Sequence, residues 1–234
     1  MIADTHGNVP ATRAILEELG RRECESVIHL GDAIGIGPRP SEVLALLREA
    51  GVIAVMGNHD ALGAFGIPDF VRLTRSADEL EHHRWMHAQL SDADRALLQS
   101  WPYERQMELG GRTITVVHYA RDDADGFMKV GEARLSAEGL STMYSSIPGD
   151  IVLFGHDHRF YDTTVGGRRF INPGSAGCHD RAEARATILT ETDGGKLTVE
   201  HIAVPYDDSE LIADFARLGV PMRDFILQVL IRRE

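Results

Sequence analysis

Residues of three chemical types recur at short spacings along this chain: Asp4 and His6, Asp32, the adjacent Asn58 and His59, His118, and His156 with His158. Carboxylate, imidazole and amide oxygen without thiolate form the donor set of borderline divalent metals such as Mn, Fe, Co, Ni or Zn. The set exceeds the roughly four ligands that a single zinc ion takes. A pair of ions sharing one bridging carboxylate accommodates it, and two ions about 3.5–4 Å apart are an arrangement used for in-line displacement at phosphorus. Taken alone, the His-x-His of "GHDH" at 155–158 is more often a polar turn than a ligand pair, so the weight rests on the whole series.

Each of these residues stops an apolar run. "SVIHLGD" ends at Asp32, "VIAVMGNHD" at Asn58 and His59, and "DIVLFGHDH" at His156. Continuous runs of that length alternating with helical patterns predict strands buried on both faces. Ligands gather at the carboxyl ends of such strands. The amino end has the same form cut short. Met1, Ile2 and Ala3 alone precede "DTHGN", where about five or six strand residues are usual. The numbering therefore begins inside a strand, or this edge is abbreviated. A helix follows, with Pro10 in its first turn and Ala14, Ile15 and Leu19 on one face.

The stretch from about 75 to 100 reads as helical, with Ser91 as an N-cap and Asp94 at the capping-box position. His82, His83 and His87 are expected on the surface there. From 103 the period changes to two. "YERQMEL", Gly110-Gly111 and "RTITVVH" form a hairpin pattern that stops at His118. Further antiparallel strands are expected around Gly166-Gly167 and Asp193-Gly194-Gly195, and two amphipathic helices at about 208–218 and 222–232. No repeat or linker interrupts the pattern, so residues 1–234 are expected to form a single domain.

The chain has 234 residues, 43% hydrophobic and 26% charged, ordinary for a globular protein. A net charge of −12 argues against long nucleic acid, whose binding draws on lysine and arginine. A small phosphorylated substrate remains compatible, because bound cations reverse the field within a cleft. Cys24 and Cys178 are the two cysteines. They imply no disulfide framework, and a reducing compartment is the default. With no signal-peptide pattern at the start and no apolar run of roughly 18–20 residues, a cytoplasmic protein without membrane contact is expected. Nothing in the sequence sets the oligomeric state.

The ordered series "DTH", "GD", "GNHD", a lone His in "VVH" and then "GHDH" resembles the calcineurin-like metallophosphoesterase superfamily. "GDAIGIGPRP" and "NPGSAG" resemble its small prokaryotic phosphodiesterase branch. The resemblance covers nearly the whole chain and implies an α/β fold, a four-layer α/β/β/α sandwich of two mixed β-sheets flanked by helices. It implies that Asp4, His6 and His158 hold one divalent metal and that Asn58, His118 and His156 hold a second. Asp32 bridges the two, and Mn is the favoured ion. It further implies that His59 is not a ligand and instead protonates the leaving oxygen or stabilises charge at phosphorus. The implied reaction is hydrolysis of a small phosphodiester or phosphomonoester by in-line attack of a metal-bridging hydroxide. Because the ligands must be neutral imidazoles, activity is expected to fall as pH drops through the histidine range.

The chain also departs from the family. The "GD-x-x-D-R-G" form of protein Ser/Thr phosphatases is replaced by "GDAIGIG". The aspartate that backs the catalytic histidine in that branch and its phosphate-binding arginine are therefore missing, which disfavours phosphoprotein substrates. Asp60 is a candidate to orient His59. Tyr119-Ala120-Arg121 stands where Gly and a small residue often follow the lone His, so Tyr119 is a candidate pocket wall. Arg39 and His179 are read first as loop residues and second as substrate contacts, His29 as a packed core histidine, and Cys178 as incidental. The alternative from another class is a non-catalytic metal-binding interaction module on the same fold, as one eukaryotic trafficking subunit of the superfamily is. Loss of His59 or of a ligand would mark it, and all are present here.

Overall fold

The computed structural model describes residues 1–121, 136–192 and 195–231. Helix α1 (Val9–Arg21) starts at Asn8, whose side chain accepts the Ala11 N–H at 3.1 Å, and Pro10 sits in its first turn, where no N–H partner is needed. Strands β1 (Ile28–His29) and β2 (Ile53–Ala54) pair in parallel across helix α2 (Pro40–Glu49). Four helices follow: α3 (Asn58–Phe65), α4 (Asp69–Thr74), α5 (Ala77–Ala88) and α6 (Asp92–Gln99). Ser91 and Asp94 close the capping box of α6. Strands β3 (Glu104–Leu109) and β4 (Arg112–Val117) form a hairpin through Gly110 and Gly111. Both glycines have positive φ, as a two-residue turn between twisted strands requires.

The second half contains α7 (Ala137–Met143), β5 (Ile151–Leu153), β6 (Phe160–Val165), β7 (Arg168–Pro173), β8 (Glu183–Thr192) and β9 (Lys196–Pro205). It closes with α8 (Ser209–Arg217) and a short α9 (Arg223–Phe225) that runs into a π-helical turn, Ile226–Ile231. The expected second C-terminal helix is thus mostly a π turn. Of the turn expected at Asp193-Gly194-Gly195, residues 193 and 194 lie outside the described residues.

The amino end is not an abbreviated edge. Ile2 pairs in parallel with His29. On the other side, Met1 and Thr187 exchange both backbone hydrogen bonds, at 2.7 and 3.0 Å. The first sheet therefore runs β9, β8, Met1–Ala3, β1, β2. The second runs β3, β4, β5, β7, β6, with parallel pairs at its centre and antiparallel pairs at its flanks.

Alternation along the strands assembles the layers. Met1, Ala3, Leu30 and Val55 of the first sheet pack with Ile114, Val116, Ile151 and Leu153 of the second. Ile2 faces the other way and packs with Ile15 of α1 and Val43 and Leu44 of α2. Val152, Phe154 and Phe170 turn outward beneath Leu140 of α7 and Tyr144. The order is helices, sheet, sheet, helix, the expected four layers. Among the described residues no helix is long and apolar enough to cross a membrane.

Candidate metal centre

Every candidate donor leaves the carboxyl end of a strand. Asp4 and His6 follow the Met1–Ala3 strand, Asp32 follows β1, and Asn58 and His59 open α3 just past β2. His118 follows β4, and His156 and His158 follow β5. Both sheets point these ends the same way, so the loops meet over the seam between them. The Asp4 and His6 N–H groups donate to the Gly31 and Asp32 carbonyls at 3.0 and 3.1 Å. The His156 N–H donates to Asp4 Oδ2 at 3.1 Å.

Three overlapping groups result. Donor atoms of Asp4, His6 and His158 lie within 4.8 Å of one another, as do those of Asp32, His118 and His156, and those of His6, Asp32 and His59. His6 Nε2 is 3.1 Å from His158 Nε2, and His118 Nε2 is 3.1 Å from Asp32 Oδ2. The second ring nitrogens fix the tautomers. His6 Nδ1 donates to the Ile34 carbonyl at 3.0 Å and His118 Nδ1 to the Leu30 carbonyl at 2.7 Å. Such outer bonds are what orient a metal-binding imidazole, with Nε2 left to face the ion.

The electrostatics of the cluster suit a cation. Burial, with help from His158, drives His6 down to about 3, and burial takes His156 down to about 4. Burial also opposes the charged forms of His118 and His158, but the carboxylates outweigh it. Asp32 brings His118 up to about 9, and Asp4 raises His158 well above its ordinary value. Asp4 and Asp32 are held below the usual carboxylate range, the imidazoles outweighing burial. Protons on His118 and His158 thus stand where divalent ions would offset the same two carboxylates. Asn58 Oδ1 is buried without a hydrogen-bond partner. A buried carbonyl in that state costs about 1–3 kcal/mol, which coordination would remove. The residues present fit a metal centre.

Backbone strain marks the same residues. Asp4, His6, Asp32, His156 and His158 all have φ between 49° and 69°. Among the described residues only Glu23 and Met222 share that feature without a side chain in the cluster. Left-handed non-glycine residues cost of order 1–3 kcal/mol each and persist where function demands them. Gly57 serves close approach instead, since a Cβ there would sit 2.1 Å from Asp32 Oδ1.

The domain model of the calcineurin-like phosphoesterase superfamily matches residues 1–195. The chain belongs to that superfamily. A metallophosphoesterase from Sphaerobacter thermophilus is similar in structure, with a TM-score of 0.70 and 25% identity over 97% of this chain and 96% of that one. A hypothetical protein from Pyrococcus horikoshii OT3 has the same fold at a TM-score of 0.81 and 20% identity, over 98% and 96% of the two chains. An uncharacterized protein of Methanocaldococcus jannaschii is 24% identical over 222 residues, 88% of this chain and 87% of its own.

Several expectations for this superfamily member change on contact with the structure. Asp60 does not orient the His59 ring in any described hydrogen bond. Its carboxylate accepts the backbone N–H groups of Asp32, Ala33, Ile34 and Gly57 at 2.7–3.3 Å, fastening the Asp32 loop to the start of α3. Arg39 is committed to Asp214 and Glu42 and does not line the cavity over the cluster. His179 pairs with Asp180 at 3.0 Å and is likewise absent from that lining. The Tyr119 ring is buried against His118 and His156, centroids 5.3 and 5.4 Å away, so it backs the donors. His29 is a core histidine whose Nε2 meets Thr5 Oγ1 at 2.9 Å while Nδ1 accepts the Gly31 N–H at 3.1 Å.

His82 and His83 are not on the surface as expected. Both are buried and line the cavity that opens from the cluster. They share the helix face of Met86, at i+4 and i+3, and this stripe was the signal available in the sequence. The charged "ELEHHR" around them obscured it.

Proposed function

We propose that this superfamily member hydrolyses the phosphoester of a small molecule at a centre of two divalent cations. Asp4, His6 and His158 would hold one cation, Asn58, His118 and His156 the other, and Asp32 both. The observation that supports this reading most is the overlap of three donor groups through Asp32 and His6. Bound cations would neutralise phosphoryl oxygens and lower the pKa of water into the neutral range. Four imidazoles beside two carboxylates and one amide suit Mn, Fe, Co, Ni or Zn alike, and the family resemblance makes Mn the first ion to test.

His59 has a distinct task. Its ring stands edge-on to His6 with centroids 5.3 Å apart, and its backbone N–H donates to Asp32 Oδ1 at 2.8 Å. Burial lowers its pKa, so at neutral pH it is an imidazole that donates a hydrogen bond to the leaving oxygen. A monoanionic diester is the better substrate than a dianionic monoester. Arg75 is the only Lys or Arg among the described residues lining the cavity, and it is paired with Glu79 at 3.0 Å. The net charge of −12 accords with a small substrate in preference to long nucleic acid, and cysteine usage with a cytoplasmic setting.

The test is to strip the protein and reload it separately with Mn, Fe, Co, Ni and Zn. Metal content is then measured beside turnover of bis-p-nitrophenyl phosphate and p-nitrophenyl phosphate. Near two ions per chain with restored hydrolysis, faster on the diester, is the expected result. Two ions without turnover of either ester would make the chain a binding module. Retention of no ion would overturn the proposal.

A further inference from the structure

The cavity beyond the donor cluster has a volume of about 300 Å³, at the small end of small-molecule sites. Much of its wall takes no part in the metal chemistry. Leu62 of α3, Val71 of α4, and Met222, Phe225 and Ile226 of the C-terminal segment give it an apolar face. The last three lie beyond residue 195, outside the part matched by the superfamily's domain model.

That C-terminal wall is fixed in place. The two ring nitrogens of His82 meet the carbonyls of Gly35 and Pro221 at 2.9 and 3.0 Å. The single N–H of a neutral ring ties α5 to one of these two carbonyls, in the loop after β1 or at the residue preceding Met222. Ile226 packs with Ile36, Leu211 and Phe215 in one cluster, with Met222 and Trp85 against it. Phe225 projects from this base and is 49% exposed at the cavity rim.

Besides Asn58 and His59 at the centre itself, one described polar group in the wall is unmatched. His83 is 93% buried by its 7% exposure, yet its Nδ1 has no hydrogen-bond partner. Its ring centroid is 5.7 Å from that of His59. Burial lowers its pKa to about 3, so it is a neutral ring. An unmatched buried nitrogen is costly, and a ligand atom in the cavity would satisfy it. The cavity offers nothing for a second phosphate, because the Arg75 charge is offset by Glu79.

We infer that this cavity is the subsite for the organic group of the ester: a small aromatic ring that packs on Leu62, Val71, Phe225 and Ile226 and presents a hydrogen-bonding atom to His83 Nδ1. The inference rests on the phosphoesterase reading and specifies its substrate class as single-phosphate esters of small aromatic alcohols.

The test is calorimetric titration of the full chain, with manganese in excess, using methylphosphonate, phenylphosphonate and 4-hydroxyphenylphosphonate. These probes share a head group and differ only in the organic part. Burying a phenyl ring should tighten binding roughly ten- to hundredfold over methyl. The hydroxyl should add a further gain of about threefold or more. Phe225→Ala, at a half-exposed site that the fold tolerates, should narrow the phenyl advantage severalfold. His83→Phe should keep that advantage and lose the hydroxyl gain, with metal content unchanged in both variants. Equal binding of methyl and phenyl probes, or no binding of either, would overturn the subsite, as would variants that leave both ratios intact. Phenyl preference without turnover of any ester would leave the subsite standing and defeat the hydrolase reading. Turnover without phenyl preference would do the reverse.

Discussion

The Asp60 carboxylate holds the backbone N–H of Asp32 at 2.7 Å and places that residue's side chain 3.1 Å from His118 Nε2. Asp60 also accepts the N–H groups of Ala33, Ile34 and Gly57, so removing one of its acceptor oxygens would disturb the whole Asp32 loop. Asp60→Asn is expected to cost about 2–4 kcal/mol, since N–H donors would face an NH₂ group. Metal affinity should fall about 10–100-fold, as is typical for outer-shell partners. Urea unfolding and metal titration measure the two effects. Unchanged metal affinity would contradict the positioning role.

Asn58 allows a cleaner separation of metal from fold. Its Oδ1 lacks a partner in the buried site, so Asn58→Ala should not lower the metal-free melting temperature and should raise it by about 2–4 °C for each kcal/mol of the unmet carbonyl's cost that is relieved. The rise in melting temperature with added Mn should shrink, because stabilisation by a ligand scales with its affinity. Thermal melts with and without Mn decide the matter. An equal metal-induced rise in both proteins would remove Asn58 from the centre.

For catalysis, His59→Ala is expected to keep the metal content and lower kcat by roughly 10²–10⁴. Asp32→Ala should lose metal and activity together, since it joins two of the donor groups. Elemental analysis beside the esterase assay distinguishes the pair. Normal metal content in Asp32→Ala would rule out its bridging role.

The metal-free protein should be most stable near pH 6.5. Below that, the unfolded chain takes up protons that His6, His29, His83 and His156 refuse, because burial lowers these groups to about 3–4. Stability therefore falls as pH drops from about 6.5 to 4. Above 6.5 the sign reverses. His118, raised to about 9, and His158, raised as well, stay protonated only in the folded state, so their contribution is lost as pH rises through the raised values. Asp60, shifted by burial to about 7, opposes the acid limb without reversing it. Metal should abolish the alkaline limb, since it displaces those protons. Denaturant midpoints from pH 4 to 9, with and without Mn, test both limbs.

What could be read from the sequence was whatever is encoded locally. "GHDH" places two donors within one loop, and the apolar run before it dictates the strand end from which they emerge. The strand-end rule thus located the cluster before any distance was known. Partnerships across the chain were not legible. Arg39 meets Asp214 at a separation of 175 positions, and no motif links them. Asp60 reads as a neighbour of His59, yet its bonds run to a loop 26–28 residues earlier. The amino-terminal strand looked like an edge because its length carries no trace of its two neighbours. His82 and His83 were misplaced because imidazoles in a charged stretch resemble a solvated face, and only the Met86 register argues otherwise.

The seam that gathers the donors has a consequence for biosynthesis. His6 and His158 are 152 positions apart, so at ~5–20 residues per second the ribosome adds the second roughly 8–30 s after the first. During that interval the strand carrying Asp4 and His6 also lacks Thr187 of β8, its neighbour on one side. A nascent chain halted before β5 would therefore have neither a complete first sheet nor either full set of donors. Completion of the donor cluster therefore has to follow translation of most of the chain.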